Sequence, residues 1–516
     1  MTFRRLAAPR QGGIFAVFLL LLLAAAPAFA CDLAAAPTTR WRITQVKGDA
    51  WLVTPCGARF FARGVNVLDG GASGDGIDRP HYAWQRFAPS LPAWIAAARR
   101  RLREWDFNSA GAWSLPPQQL QLPTVINLEL GRLAKFHWFD PFAPATARRV
   151  YAEARRLTAP YRGTPYRIGY FSDNEVGWWG GALFHFFSAK PAGNVTKRHW
   201  VALLRRRYHG DWRRFAADFV PPAGVRSWAA RLRAEKPTRL RPGGEGSAAV
   251  AAWTAAVAEH YYALTAAAIH AADPAALFFG DRLPIYYDPA AVRAEARHVD
   301  AFAVNYDVDG PEGWVAPYFF NGLRALGAGK PVLVSEWFYA ARQNRSGNRN
   351  NGHLMTVETQ AERAAGAAAA AENFARLPNL LGLDWFQYYD YPQGGRADGE
   401  DYDFGLVDIN DQPYRRLVAA LTAANRRLPM LHAAARPRSR PALAGFTVPE
   451  AAIDPAHRSL IDWPKPETLL PPFRTAAGAV PFGEAYLSWS DAGLALATIG
   501  QGYYDQELLA FDGAFP

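Results

Sequence analysis

Pro331-Val-Leu-Val-Ser-Glu336 is the stretch that decides the fold. It is a short apolar run that follows a helical segment near Leu323 and ends on an acid. Such a run is what a strand buried on both faces looks like. The same unit, helix then apolar strand, recurs outward in both directions. A helix over Leu91 to Trp105 leads to the small-residue strand Phe107-Asn-Ser-Ala-Gly-Ala-Trp113, and one over Ala145 to Leu157 leads to Tyr166-Arg-Ile-Gly-Tyr-Phe171. A helix over Ala248 to Ala271 precedes Leu277-Phe-Phe-Gly280, and Val299 to Tyr306 reads as the next strand. Beyond Glu336, a helix over Gln360 to Phe374 leads to a strand over Leu380 to Phe386. Trp51 to Asn66 supplies a first strand after the break at Pro55 and Gly57, and a third falls within Leu122 to Leu130. Apolar strands alternating with amphipathic helices predict a parallel sheet covered on both faces. About eight such units close into a (β/α)8 TIM barrel. The alternative is an open doubly wound sheet, but the chain lacks a Gly-x-Gly-x-x-Gly turn after its first strand.

A length of 516 residues suits one barrel with appendages. Residues 1–30 read as a signal peptide: Arg4, Arg5 and Arg10 precede an apolar run from Ile14 to Ala26, then Pro27 and Ala28-Phe-Ala30. A basic start, a short apolar core and an Ala-x-Ala site fit export better than a membrane span. Residues 31–430 form the barrel domain. Residues 431–480, rich in Pro, Arg and Ala, read as linker or irregular wrapping. In 481–516, Ala485-Tyr-Leu-Ser-Trp489 and Leu494-Ala-Leu-Ala-Thr498 flank a turn and predict a β-hairpin, a short C-terminal β extension. That hairpin either packs on the barrel or opens a β-sandwich that the chain does not complete.

Two cysteines, Cys31 and Cys56, allow one disulfide in an oxidising compartment. Cys31 is alternatively the lipidated first residue of a lipoprotein, though Ala28 stands where Leu is usual. Simple secretion, extracellular or periplasmic, is the preferred reading, with the membrane reached only through such an anchor. The net charge of +11 falls to +8 without the three leader arginines. Arg205-Arg-Arg207 and Arg213-Arg214 share a stretch with Trp200, Leu203, Leu204, Tyr208 and Trp212 at helical spacing, which marks a solvated helix face. With Arg436 to Arg440, these clusters belong to no nucleic-acid-binding module, so no nucleic-acid partner is expected.

In α/β barrels, reactive groups stand at the carboxyl ends of strands. Two glutamates stand there: Glu175, after the strand ending at Phe171, and Glu336. Strands four and seven face each other across a barrel mouth. Retaining glycosidases need two carboxyls about 5 Å apart, one to attack the anomeric carbon and one to protonate the leaving oxygen. Glu175 suits the acid/base and Glu336 the nucleophile. Asn174 is placed to bind a sugar 2-hydroxyl, while Asp173 points elsewhere and is structural. Close like charges should raise the pKa of Glu175 and leave Glu336 ionised. The 18 tryptophans offer flat faces for sugar rings as well as core filling. His137, His185, His199 and His209 have no metal-ligand spacing, and Ser109, Ser172 and Ser335 lack a Gly-x-Ser-x-Gly elbow. Asp398, Glu400 and Asp403 read as a solvated acidic loop rather than a calcium site. No metal and no cofactor are expected.

The chain resembles glycoside hydrolase family 50, the β-agarases. The resemblance is carried by Trp51 to Asn66, His137-Trp-Phe-Asp-Pro141, Gly169-Tyr-Phe-Ser-Asp-Asn-Glu175, Phe279-Gly-Asp-Arg282, Val304-Asn-Tyr306 and Pro331 to Glu336. Its most specific stretch is Trp385-Phe-Gln-Tyr-Tyr-Asp-Tyr-Pro392, with Gly395-Arg396, Asp398-Gly-Glu400 and Phe404-Gly-Leu-Val-Asp408. The resemblance implies a retaining hydrolase of β-glycosidic bonds in an agar-like polysaccharide or oligosaccharide. It implies Glu175 as acid/base, Glu336 as nucleophile, Tyr306 as the hydroxyl that keeps Glu336 ionised, and Trp385 as the floor of the subsite for the attached sugar. Arg282 and Asn66 would bind substrate or brace the nucleophile, and Trp113, Trp178 and Gln387 complete the substrate-binding candidates. Ser335 stands where agarases usually have Gly, and the Trp178-Trp179-Gly-Gly loop is particular to this chain. A carbohydrate-binding surface protein without turnover is the competing reading.

Overall fold

The computed structural model describes residues 31–72, 79–241, 245–284, 287–308, 310–350, 352, 354–435, 448–453, 463–464, 468, 470 and 483–500. The expected leader, most of the expected linker and the Arg436 to Arg440 cluster lie outside the described residues.

Eight parallel strands form one sheet: β1 (Ala62–Val65), β2 (Ser109–Ala110), β3 (Thr124–Asn127), β4 (Arg167–Phe171), β5 (Leu277–Phe278), β6 (Phe302–Asn305), β7 (Val332–Trp337) and β8 (Leu380–Trp385). The spatial order is β5-β4-β3-β2-β1-β8-β7-β6. Past β5, Leu283 bridges Val304 of β6 in parallel, and this joins the two edges. The result is a (β/α)8 TIM barrel.

Alternation along the strands explains the packing. Ala303, Leu333 and Leu381 belong to a cluster inside the barrel with Val125, Ile168 and Phe171. Their chain neighbours Phe302, Val304, Val332, Val334 and Leu380 belong to the cluster that faces the helices. Successive residues of a strand point to opposite faces, so a run apolar at every position fills both layers. Crowding inside explains the small residues of the second strand. A Cβ on Gly111 would stand 2.5 Å from Asn66 Oδ1.

The outer layer includes α1 (Leu91–Glu104), α2 (Pro144–Thr158), α3 (Gly180–Ser188), α4 (Ser247–Ala272), α5 (Pro289–Glu295), α6 (Pro317–Leu326), α7 (Gln360–Ala375) and α8 (Arg415–Ala433). Their starts follow local chemistry: Ser90 Oγ accepts the Ala93 amide ahead of α1, and Thr359 with Glu362 forms a capping box on α7. The Arg205-Arg-Arg207 cluster is exposed at the end of a helix over Val195–Arg207.

The expected first strand divides. Arg42–Val46, Asp49–Val53 and Arg59–Phe60 form an antiparallel sheet, and only Ala62–Val65 enters the barrel. The turn at Pro55 and Gly57 reverses the chain before the barrel begins. This small sheet covers the barrel's amino-terminal end: the Ala50 amide donates to Pro378 O, just before β8, and Trp41 Nε1 donates to Pro165 O, just before β4. Cys31 and Cys56 form a disulfide there. That bond uses the sulfur that a lipid anchor at Cys31 would need. The predicted hairpin is present as Gly483–Ser490 and Gly493–Gly500. It packs on the barrel, since Tyr486 clusters with Trp463 and with Trp314 of the loop after β6. Among the described residues no helix is long and apolar enough to cross a membrane.

Candidate active site

β4 ends at Phe171, and the next four residues carry the polar groups of its tip. Asp173 turns inward, where it accepts the amides of Gly131 at 2.8 Å and Arg132 at 3.0 Å and the Tyr261 hydroxyl. It thereby ties down the loop after β3. Burial pushes its carboxyl up to about 7 against those donors. Glu175 adopts a left-handed backbone conformation, φ +47°, and its amide donates to Asp281 O at 3.0 Å. The side chain is exposed, and it lines a cavity of about 500 Å³ at the barrel mouth.

Glu336 lies within β7. The ladder between β6 and β7 shifts register after Val304, and this sets Asn305 opposite Glu336. Such irregularities re-aim side chains beside functional sites. Arg282, wholly buried and also left-handed at φ +54°, pairs with Glu336 Oε1 at 2.8 Å. Its other nitrogen donates to Asn174 Oδ1 at 2.9 Å. Asn305 Nδ2 donates to that same oxygen at 3.1 Å and to Glu175 Oε1 at 2.9 Å. Side chains from the tips of β4, β5, β6 and β7 therefore connect Glu175 to Glu336 through Asn305, Asn174 and Arg282. Ser335 gives this arrangement a direction. Its hydroxyl donates to Asn305 Oδ1 at 2.9 Å, which leaves the Asn305 N–H groups to face Asn174 and Glu175.

The electrostatic load differs from the sequence expectation, which raised Glu175 and kept Glu336 ionised. Burial pushes the Glu336 carboxyl up to about 8, against the pull of Arg282, and the charges of Glu175 and Glu400 add to the rise. Glu336 is a strand residue with a side chain 14% exposed, so little water reaches it to stabilise its charge.

The cavity collects half of the expected residues. Trp113, Asn174, Glu175, Glu336 and Gln387 line it. Asn66 lies beneath, wholly buried: its Nδ2 donates to Ser335 O at 2.9 Å and its Oδ1 accepts the Ala112 amide. It braces the residue before Glu336 and does not reach the cavity. Arg282 likewise braces, with Trp113 over its guanidinium at 4.4 Å. Three expectations need correction. Trp385 is wholly buried, donates its indole N–H to Phe404 O and meets Trp337 edge-on. The next residue, Phe386, lines the cavity instead. Trp178 is buried among His137, Tyr261 and Tyr262 with its indole N–H on Asp281 Oδ2, while Trp179 is 44% exposed. The Tyr306 hydroxyl accepts the Ala316 amide at 2.8 Å, and its ring packs on Phe319, Phe320 and Phe374. The contact expected from Tyr306 to Glu336 is made by Arg282.

Several residues at the mouth escaped the sequence reading. Asn305 is one, although it sits in the quoted Val304-Asn-Tyr306 motif at a strand end. Glu129 lines the cavity and accepts the Trp113 indole N–H at 3.3 Å. Tyr391 lines it too and donates to Glu400 Oε2 at 2.7 Å, with Arg396 on the same hydroxyl. Asp384 is buried below, pushed up to about 8 by burial, with its carboxylate where a Cβ on Gly64 would fall. The acidic loop does not form one cluster: Asp398 and Glu400 pair with Arg396, whereas Asp403 is buried against Arg363. Burial holds His137 down at about 3, so it is neutral. Among the described residues no group of His, Cys, Asp and Glu could hold a metal ion.

No family model matches the chain. Against curated proteins it is similar to β-agarase A of Vibrio sp. (strain JT0107), 27% identical over 369 residues, covering 65% of this chain and 36% of that one. β-Agarase B of the same strain is 25% identical over 372 residues, covering 67% and 37%. Over its barrel the chain is β-agarase-like in sequence. It spans little more than a third of the length of those relatives. The β-agarase-like barrel also superposes on the solved structure of PfGH50B, with a TM-score of 0.64 at 20% identity over 77% of this chain and 66% of that one. An agarase, AgWH50C, gives 0.60 at 22% identity over 76% and 65%.

Proposed function

We propose that the chain is a retaining glycoside hydrolase that cleaves β-glycosidic bonds of an agar-like galactan. One observation carries the reading: Glu175 and Glu336 stand at the tips of β4 and β7 on one cavity, linked through Asn305, Asn174 and Arg282. In this reading Glu336, oriented by Arg282, attacks the anomeric carbon. Glu175 protonates the leaving oxygen, and a covalent glycosyl-enzyme forms. Glu175 then takes a proton from water, which releases the sugar with its β configuration. Arg282 carries a fixed positive charge against Glu336 and favours its ionised form; the neutral donor Asn305 holds Glu175 without adding charge. The similarity to β-agarases supports the substrate class. Export is part of the proposal, and the Cys31–Cys56 disulfide supports an oxidising compartment.

The test is incubation of the purified protein with agarose and agaro-oligosaccharides, with products followed by proton NMR from the first minutes. A β-anomer appearing first is the expected result. An α-anomer appearing first overturns double displacement, and no product from any galactan overturns the substrate class.

A further inference from the structure

The cavity accounts for the bond that breaks but not for the rest of a polymeric substrate. Two loops leave its edge carrying apolar side chains in solvent. The loop after β4 begins with Glu175 and reaches Trp179, 44% exposed, four residues on. The loop after β3 begins near Glu129, which lines the cavity, and carries Leu133 at 40% and Phe139 at 52% exposed. The two loops are joined where Trp138 Nε1 donates to Val176 O at 3.3 Å. Trp179 is also held in place. Gly177 has φ +76°, and a Cβ there would stand 2.7 Å from Trp179 Cζ3, so the indole packs against the Gly177 backbone.

We propose that Trp179 is a stacking platform for sugar units on the leaving-group side of the scissile bond. The side follows from the chemistry. This inference rests on reading Glu175 as the acid that protonates the leaving oxygen, and such a group faces the departing sugar. The chain continuing from that sugar passes over the loop that carries Glu175. Trp179, 44% exposed, offers there an aromatic surface of the kind that the C–H face of a hexopyranose needs. The ligand class is two or more further hexopyranose units of a neutral galactan.

The experiment compares wild type, Trp179→Ala and Trp179→Phe on agaro-oligosaccharides of increasing length and on an aryl β-galactoside, together with affinity electrophoresis in agarose gels. Trp179→Ala is expected to lower kcat/KM on the longest oligosaccharide about tenfold, mainly through KM. On the aryl glycoside it should stay within about twofold of wild type, and Trp179→Phe should fall between. Equal losses on long and short substrates, or none on the long ones, overturn the platform. Wild type without activity on any of these substrates overturns the functional reading instead. The platform is then decided by the gels alone: retarded wild type with unretarded Trp179→Ala supports it, and equal mobility overturns it.

Discussion

The tips of β4 and β7 each present a glutamate to the same cavity, yet they are built differently. Glu336 is part of the strand, its backbone fixed by the ladder and its carboxylate by a wholly buried arginine. Glu175 is beyond its strand, on a left-handed residue, exposed, with a neutral amide as its side-chain donor. One residue type is thus given two environments, one rigid and dry, the other accessible and wet. A group that attacks carbon gains from fixed geometry, whereas one that passes protons to a leaving group and from water must meet solvent.

Removing the rigid member should cost most. Glu336→Ala is expected to lower kcat on an agaro-oligosaccharide by at least about four orders of magnitude. A loss under tenfold would erase the distinction between the tips. Glu175→Ala should lower kcat by about 10²–10⁴ on the same substrate. On an aryl glycoside, whose leaving group needs little protonation, the first turnover should suffer far less; equal loss on both substrates would put Glu175 outside proton transfer.

The pH profile sharpens the contrast further. In the proposed mechanism attack needs ionised Glu336, and burial pushes that carboxyl up to about 8. kcat/KM should therefore fall about tenfold per pH unit as pH drops below that value, and a flat profile down through neutrality would contradict it. The smallest effect is on stability. A carboxyl raised in the folded chain makes that state hold more protons than the unfolded one. Its contribution to stability is full below the unfolded value of about 4.3 and is lost as pH rises through about 8. Glu336→Gln should then melt roughly 2–4 °C above wild type at alkaline pH. The gap should close in acid, and a gap that instead widens in acid would reverse the sign.

The sequence misled at three aromatic residues. Trp385 is buried and Phe386 lines the cavity; Trp178 is buried and Trp179 is exposed. In each pair the aromatic of interest is displaced by one residue. At the end of β8 a strand turns successive side chains to opposite faces, so the phase of the alternation decides that Phe386 and not Trp385 meets the cavity. In the loop after β4 the long-range contacts of Trp178 with Asp281, Tyr261 and Tyr262 decide which ring is buried. Tyr306 fails for a different reason. Its ring is seated among Phe319, Phe320 and Phe374, and its hydroxyl oxygen meets the Ala316 amide, from a segment whose course no local pattern reveals.

What the sequence determined by itself was local in origin: alternating helices and apolar strands, polar residues at strand ends, caps such as Thr359 with Glu362, and the presence of Glu175 and Glu336 at two of those ends. Periodicity and chain order suffice for these, because each depends on neighbours a few residues away. The tertiary structure alone decided that Arg282 pairs with Glu336, that Ser335 turns Asn305 toward Glu175, that burial falls on Glu336, and that Cys31 meets Cys56. Each of those depends on groups distant in sequence and on how much water their packing excludes. Neither quantity is written in any short stretch of the chain.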